Sequence, residues 1–180
     1  YSEGKYANAL KLYQTAAKSP GGDQLRTYTG LYLTSWRLGR QADAAKAFGQ
    51  IVDQGLESKK LGVKFLFKPS TATLWSDPKA GPPAPYAMWL REIAARAVTR
   101  KDTCLGVVGH TSATGSEPAN EKLSLQRAEV IGKEIVRAAR ALDKKVIPNG
   151  VGSKQTLIGN GRDDHTDALD RRVEFRVVGC

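Results

Sequence analysis

No apolar run in this 180-residue chain approaches the ~20 residues a helix needs to cross a bilayer, so no transmembrane helix is expected. Cysteine is scarce too. Cys104 and Cys180 are too few for a disulfide-stapled miniprotein and are arranged wrongly for a zinc site. A basic-then-apolar leader is missing: Tyr1 opens directly onto a helical pattern, which reads as a fragment of a longer protein. No Gly-x-Ser-x-Gly elbow is present, and His110 and Ser112 at i and i+2 do not make a triad, so no catalytic activity is expected. Helix-turn-helix, RNP and zinc-finger patterns are absent, which argues against a nucleic-acid partner despite the basic balance.

Acidic residues are outnumbered, 18 against 28 Lys and Arg, for a net charge of +10. The excess is spread along the chain, so it marks a basic surface suited to anionic partners and not a dedicated tail.

Residues 1–56 are helical in pattern and repetitive. Gly4 and Gly39, Ala9 and Ala44, and Tyr13 and Phe48 recur at one common interval. This small–aromatic spacing resembles the second helix of a tetratricopeptide repeat, with Leu25–Leu38 as the first helix of the next repeat. Pro20-Gly21-Gly22 breaks the chain between helices. Such helices present a partner-binding surface or act as a spacer.

Past Lys60 the periodicity changes. Val63–Phe67 alternates as a strand, Lys68–Pro85 is a proline-rich loop, and Tyr86–Val98 is helical. Asp102–Thr111 reads as a buried strand and Pro118–Leu142 as a long amphipathic helix. Val146–Val151 and Arg172–Val178 complete the order βαβαββ, joined by the polar loop Gly152–Asp170. The expectation is an α+β sandwich, two helices laid on one mixed sheet over residues 61–180, preceded by an all-α segment over 1–58. If the strands that begin at Cys104 and end at Cys180 pair antiparallel, the thiols face each other and can bridge; two free thiols is the other reading.

Three motifs stand in order: Gly109-His110-Thr111-Ser112, then Asn120-Glu121-Lys122-Leu123-Ser124-Leu125-Gln126-Arg127-Ala128, then Asp170-Arg171-Arg172-Val173-Glu174. Together they resemble the OmpA-like domain of outer-membrane proteins, peptidoglycan-associated lipoproteins and flagellar stator proteins. The resemblance implies non-covalent binding of the diaminopimelate residue of the peptidoglycan peptide stem, with no cofactor. It implies a lipoprotein-like or outer-membrane association in the periplasm of a Gram-negative bacterium. Arg127 matches the family's carboxylate-binding arginine, whose planar fork takes a carboxylate with two parallel hydrogen bonds. Thr114, Asn120 and Arg171 match binding-loop positions, and Phe67, Lys68 and Ser70 a third site-forming loop. Two positions depart from the family. Ser112 stands where an aspartate meets the ligand ammonium, and Asp170 stands where asparagine is usual. One reading moves the negative charge from the first loop to Asp170; another makes the domain a protein-interaction module with weak or no wall binding. Asp163-Asp164-His165-x-Asp167 follows no known metal-site spacing and reads as a polar surface loop, so no metal is expected.

Overall fold

A computed structural model of the chain describes residues 4–76, 85–162 and 164–180. Three helices come first: α1 (Tyr6–Lys18), α2 (Leu25–Arg37) and α3 (Gln41–Glu57). They pack in succession because their small residues let backbones approach. At Gly30 of α2 the ring of Tyr13 from α1 lies so close that an added Cβ would meet it at 2.3 Å. The breaks fall where the sequence places them, with Gly21 and Gly39 at positive φ in the two connections.

The remainder runs β1 (Phe65–Leu66), α4 (Tyr86–Ala97), β2 (Thr103–Gly109), α5 (Glu117–Ala138), β3 (Val146–Gly150) and β4 (Arg172–Gly179). The sheet order is β1-β4-β2-β3, with β2 and β3 parallel and the other two pairs antiparallel. This is the expected mixed sheet. Alternate strand residues Phe65, Leu105, Val107, Val173, Phe175 and Val177 turn to one face and meet Ile93 of α4 and Ala128, Ile131 and Ile135 of α5. No helix among the described residues is long and apolar enough to cross a membrane.

Most element ends fall within a residue or two of the expectation, and three stretches depart from it in structure. β1 is shorter than Val63–Phe67, because after Phe67 the chain folds back on itself. Lys68 N–H donates to the Thr73 carbonyl and Trp75 N–H to the Leu66 carbonyl. α5 stops at Ala138, where the extended backbone of Ala139 leads into a short 3-10 turn, Arg140–Leu142, that buries Leu142 completely. The Gly152–Asp170 loop carries a second such turn, His165–Leu169, begun by the Asp164 carboxylate accepting from Thr166 N–H. Pro78, Pro82 and Pro83 of the proline-rich loop lie outside the described residues, as does Asp163.

One buried apolar cluster runs from Tyr32 and Phe48 in the first helices through Trp89 to the sheet. Trp89 stacks on Phe48 at 5.3 Å, meets Phe65 edge-on, and donates from its indole to the Tyr32 hydroxyl at 3.0 Å. Asp53 of α3 also pairs with Arg96 and Arg100 across the same junction.

Cys104 and Cys180 are disulfide-bonded, with Cα atoms 5.1 Å apart. They sit where the start of β2 meets the end of β4, Cys104 opposite Val178.

Candidate functional site

The site begins with two glycines. A Cβ at Gly109, the last residue of β2, would lie 1.8 Å from the Ser124 carbonyl oxygen, and one at Gly150 2.4 Å from Leu125 N. Glycine at both strand ends therefore lets the backbone of α5 sit directly on the sheet. The Ser124 hydroxyl fixes this seat by accepting from Gly152 N–H at 2.9 Å. One turn further along, Arg127 is thereby held over the segment that leaves β2.

Arg127 is fully buried. Its guanidinium donates to three main-chain carbonyls: Thr71 at 2.9 Å, His110 at 2.8 Å and Lys68 at 3.2 Å. The Phe67 ring lies 5.3 Å beneath it, a cation–π arrangement. Among the described residues no carboxylate pairs with it. Burial, and secondarily the nearby Arg171, pull its pKa down to about 10. It stays charged at neutral pH, a buried cation whose partners are all neutral dipoles.

Beside it opens a pocket of about 150 Å³, lined by Thr111, Ser112, Thr114, Asn120, Arg127 and Arg171, with Ser70, Gly115 and Leu123 at the edges. Thr111 Oγ1 and Asn120 Nδ2 are buried and make no hydrogen bond among the described residues. The Ser112 hydroxyl donates to that of Thr114 at 3.4 Å, a long contact. Ser70 sits in the left-handed region, φ 54°, at the tip of the turn that Arg127 clamps.

The structure thus gathers Arg127, Ser112, Thr114, Asn120 and Arg171 around one pocket and leaves two of the sequence candidates elsewhere. Lys68 contributes its carbonyl to Arg127, while its side chain does not line the pocket. Asp170 is fully buried, but its carboxylate accepts from Leu157 N–H and from Gly159 N–H at 2.8 Å and faces Arg172 at 3.6 Å. It shapes the Gly152–Asp170 loop and is not among the residues that line the pocket. Thr111 was passed over in favour of its neighbours; its only sequence signal is its place inside the Gly-His-Thr-Ser motif. Gly115 and Leu123 carried none beyond the same run.

His110, next in the chain to Thr111, is buried with neither ring nitrogen hydrogen-bonded among the described residues. Burial first, then Arg172, lower its pKa to about 4, so the ring is neutral at pH 7. Arg172 is buried as well, bonded to Glu174 at 2.6 Å and to the Gln155 carbonyl at 3.1 Å. It braces the loop and lies outside the pocket lining. Among the described residues no group of three or more His, Cys, Asp or Glu could hold a metal ion.

The chain resembles known proteins over this same region. It is 29% identical to outer membrane protein A of Serratia marcescens over 157 residues, 81% of this chain, and spans 42% of that protein's length. The fold is shared with the peptidoglycan-associated lipoprotein of Burkholderia pseudomallei. That match has a TM-score of 0.56 at 16% identity and covers 67% of this chain and 93% of that one. The periplasmic domain of Helicobacter pylori MotB also shares it, with a TM-score of 0.50 at 17% identity, covering 65% and 81%. The OmpA family pattern matches residues 66–168, more than half of the chain, a span that holds β2, α5, β3 and all of the pocket lining except Arg171: the chain belongs to the OmpA family.

Proposed function

We propose that residues 61–180 bind the peptide stem of peptidoglycan non-covalently through a carboxylate, with diaminopimelate as the stem residue that family membership favours. The helices of residues 1–58, tetratricopeptide-like in spacing, would serve a protein partner. The whole acts as a non-enzymatic adaptor in the periplasm, associated with the outer membrane. One observation carries the binding reading: Arg127 is a buried cation without a carboxylate partner among the described residues, and it opens on a pocket lined with hydrogen-bond donors. Burying an unpaired charge costs free energy, and an incoming anion recovers it. Thr111 Oγ1 and Asn120 Nδ2, in the pocket lining and without a hydrogen-bond partner among the described residues, strengthen the case.

The test is co-sedimentation with purified peptidoglycan sacculi, using wild type and Asn120→Ala, Arg171→Ala and Arg127→Lys, each checked for folding. Sedimentation of the wild type that weakens in the folded variants supports wall binding. A second reading has its own observation: no carboxylate lines the pocket among the described residues, so a ligand ammonium lacks a counter-charge. On that reading the domain is an interaction module of an envelope assembly, and sacculi retain no protein at any salt concentration.

A further inference from the structure

The pocket's described lining is one-sided in charge. Arg127 and Arg171 bring positive charge, and Asn120 brings a neutral amide with Nδ2 to donate and Oδ1 to accept. The remaining polar groups are hydroxyls: Thr111, Ser112, Thr114 and Ser70. The main-chain carbonyls of Thr71, His110 and Lys68 each already accept from the Arg127 guanidinium, so an ammonium approaching them would approach that cation too. Asp170, the buried acid next in sequence to Arg171, is committed to two backbone N–H groups and Arg172. A free amino-acid head would find a place for its carboxylate. Its ammonium would then lie beside the Arg127 guanidinium with only neutral acceptors, hydroxyls and the Asn120 amide oxygen, and no counter-charge among the described lining.

We propose that this pocket selects a carboxylate whose neighbouring amine is acylated, and discriminates against the free head in which an ammonium stands beside the carboxylate. The inference rests on the wall-binding reading and narrows its ligand. Two places in a peptide stem offer this chemistry: a terminal D-alanine, whose amine is in the peptide bond, and a diaminopimelate centre whose amine is taken up in a cross-link. A second specificity follows for Ser112. Its hydroxyl is buried on the pocket wall, so a carboxylate introduced there supplies the missing counter-charge.

The experiment is calorimetric titration of the whole chain with two matched pairs of probes. N-acetyl-D-alanine is compared with D-alanine, and di-N-acetyl-diaminopimelate with meso-diaminopimelate, alongside sacculus sedimentation. The acylated member of at least one pair is expected to bind about tenfold or more tightly, the effect of one uncompensated like charge. Which pair shows it identifies the source. Ser112→Asp, confirmed as folded by circular dichroism, is expected to shrink or invert the difference, and Ser112→Asn to leave it in place. Equal or tighter binding of the free heads overturns the selectivity while leaving wall binding intact. Sacculi that retain the chain although no probe binds or competes overturn it too, because another surface then holds the wall. Failure of the sacculi to retain the chain, with no probe bound, removes the wall-binding reading itself.

Discussion

Nε of Arg127 donates to the carbonyl of Thr71, 2.9 Å away and 56 residues earlier in the chain. Its two other guanidinium nitrogens hold Lys68 and His110 in the same way, so one side chain joins α5, the turn after β1 and the exit from β2. Arg127→Ala leaves three main-chain acceptors without their donor, the His110 carbonyl fully buried and those of Thr71 and Lys68 partly so, and is expected to cost about 2–3 kcal/mol of stability. Lysine keeps the charge but cannot reach three carbonyls at once, so Arg127→Lys should fall between, at about 1–2 kcal/mol. Urea unfolding measures both. An alanine variant within about 1 kcal/mol of wild type would mean that water replaces the guanidinium.

This dual position explains what the sequence revealed about the site and what it concealed. A motif names residue types at fixed spacing, and Ser112, Thr114, Asn120, Arg127 and Arg171 were legible that way as neighbours around one pocket. Asp170 was misplaced because its sequence position fits the pocket, while its side chain turns toward Leu157 and Gly159. Only the path of the intervening loop decides that, and loop paths are not written in periodicity. The helices and strands were readable because their apolar residues recur at 3.6 or 2. The end of α5 at Ala138 was not, because Leu142 fits the helical stripe equally well from a 3-10 turn. The aromatic junction around Trp89 was also hidden. Its partners lie up to 57 residues away, and no local pattern distinguishes an aromatic that faces its own sheet from one that bridges two segments.

His110 makes stability depend on pH. The buried ring titrates near 4 in the folded chain, against 6.5 as the reference value. Arg172 and Arg176 depress it, and Glu174 and Asp170 partly oppose them. The unfolded chain therefore binds a proton that the folded chain refuses, and stability falls as pH drops from about 6.5 toward 4. Above 6.5 both states are neutral and this contribution is level. Between pH 7 and pH 4.5 the loss from this residue should be about 2 kcal/mol. His110→Gln, which cannot titrate, should lose correspondingly less over the same interval in urea unfolding. Identical pH slopes for the two proteins would show that the ring is protonated as readily folded as unfolded.

Because Trp89 packs on Phe48 and Tyr32 on one side and on Phe65 on the other, the first helices and the sheet share one core. Unfolding followed by tryptophan fluorescence and by far-ultraviolet circular dichroism should give a single coincident transition. Trp89→Ala should cost about 2–3 kcal/mol and separate the two signals, with the helices melting first. Two transitions in the wild-type chain would mean that the junction is a contact between independently stable units.

The bridge between Cys104 and Cys180 closes a loop across a sequence separation of 76. On the chain-entropy model, constraining the unfolded chain over that length stabilises the fold by about 4 kcal/mol. Reductant should lower the urea midpoint accordingly, and Cys104→Ser combined with Cys180→Ser should behave like the reduced protein. Binding at the pocket should respond far less. The bridge joins the beginning of β2 to the end of β4, whereas Gly109 and the pocket lie at the opposite end of β2. Five residue steps of extended strand, Cys104 to Gly109, separate the two, about 17 Å. Titrating the pocket's ligand into oxidised and reduced protein, under conditions where both stay folded, separates the two effects. A reduced chain that keeps its midpoint but loses its ligand would reverse the assignment and make the disulfide part of the binding apparatus.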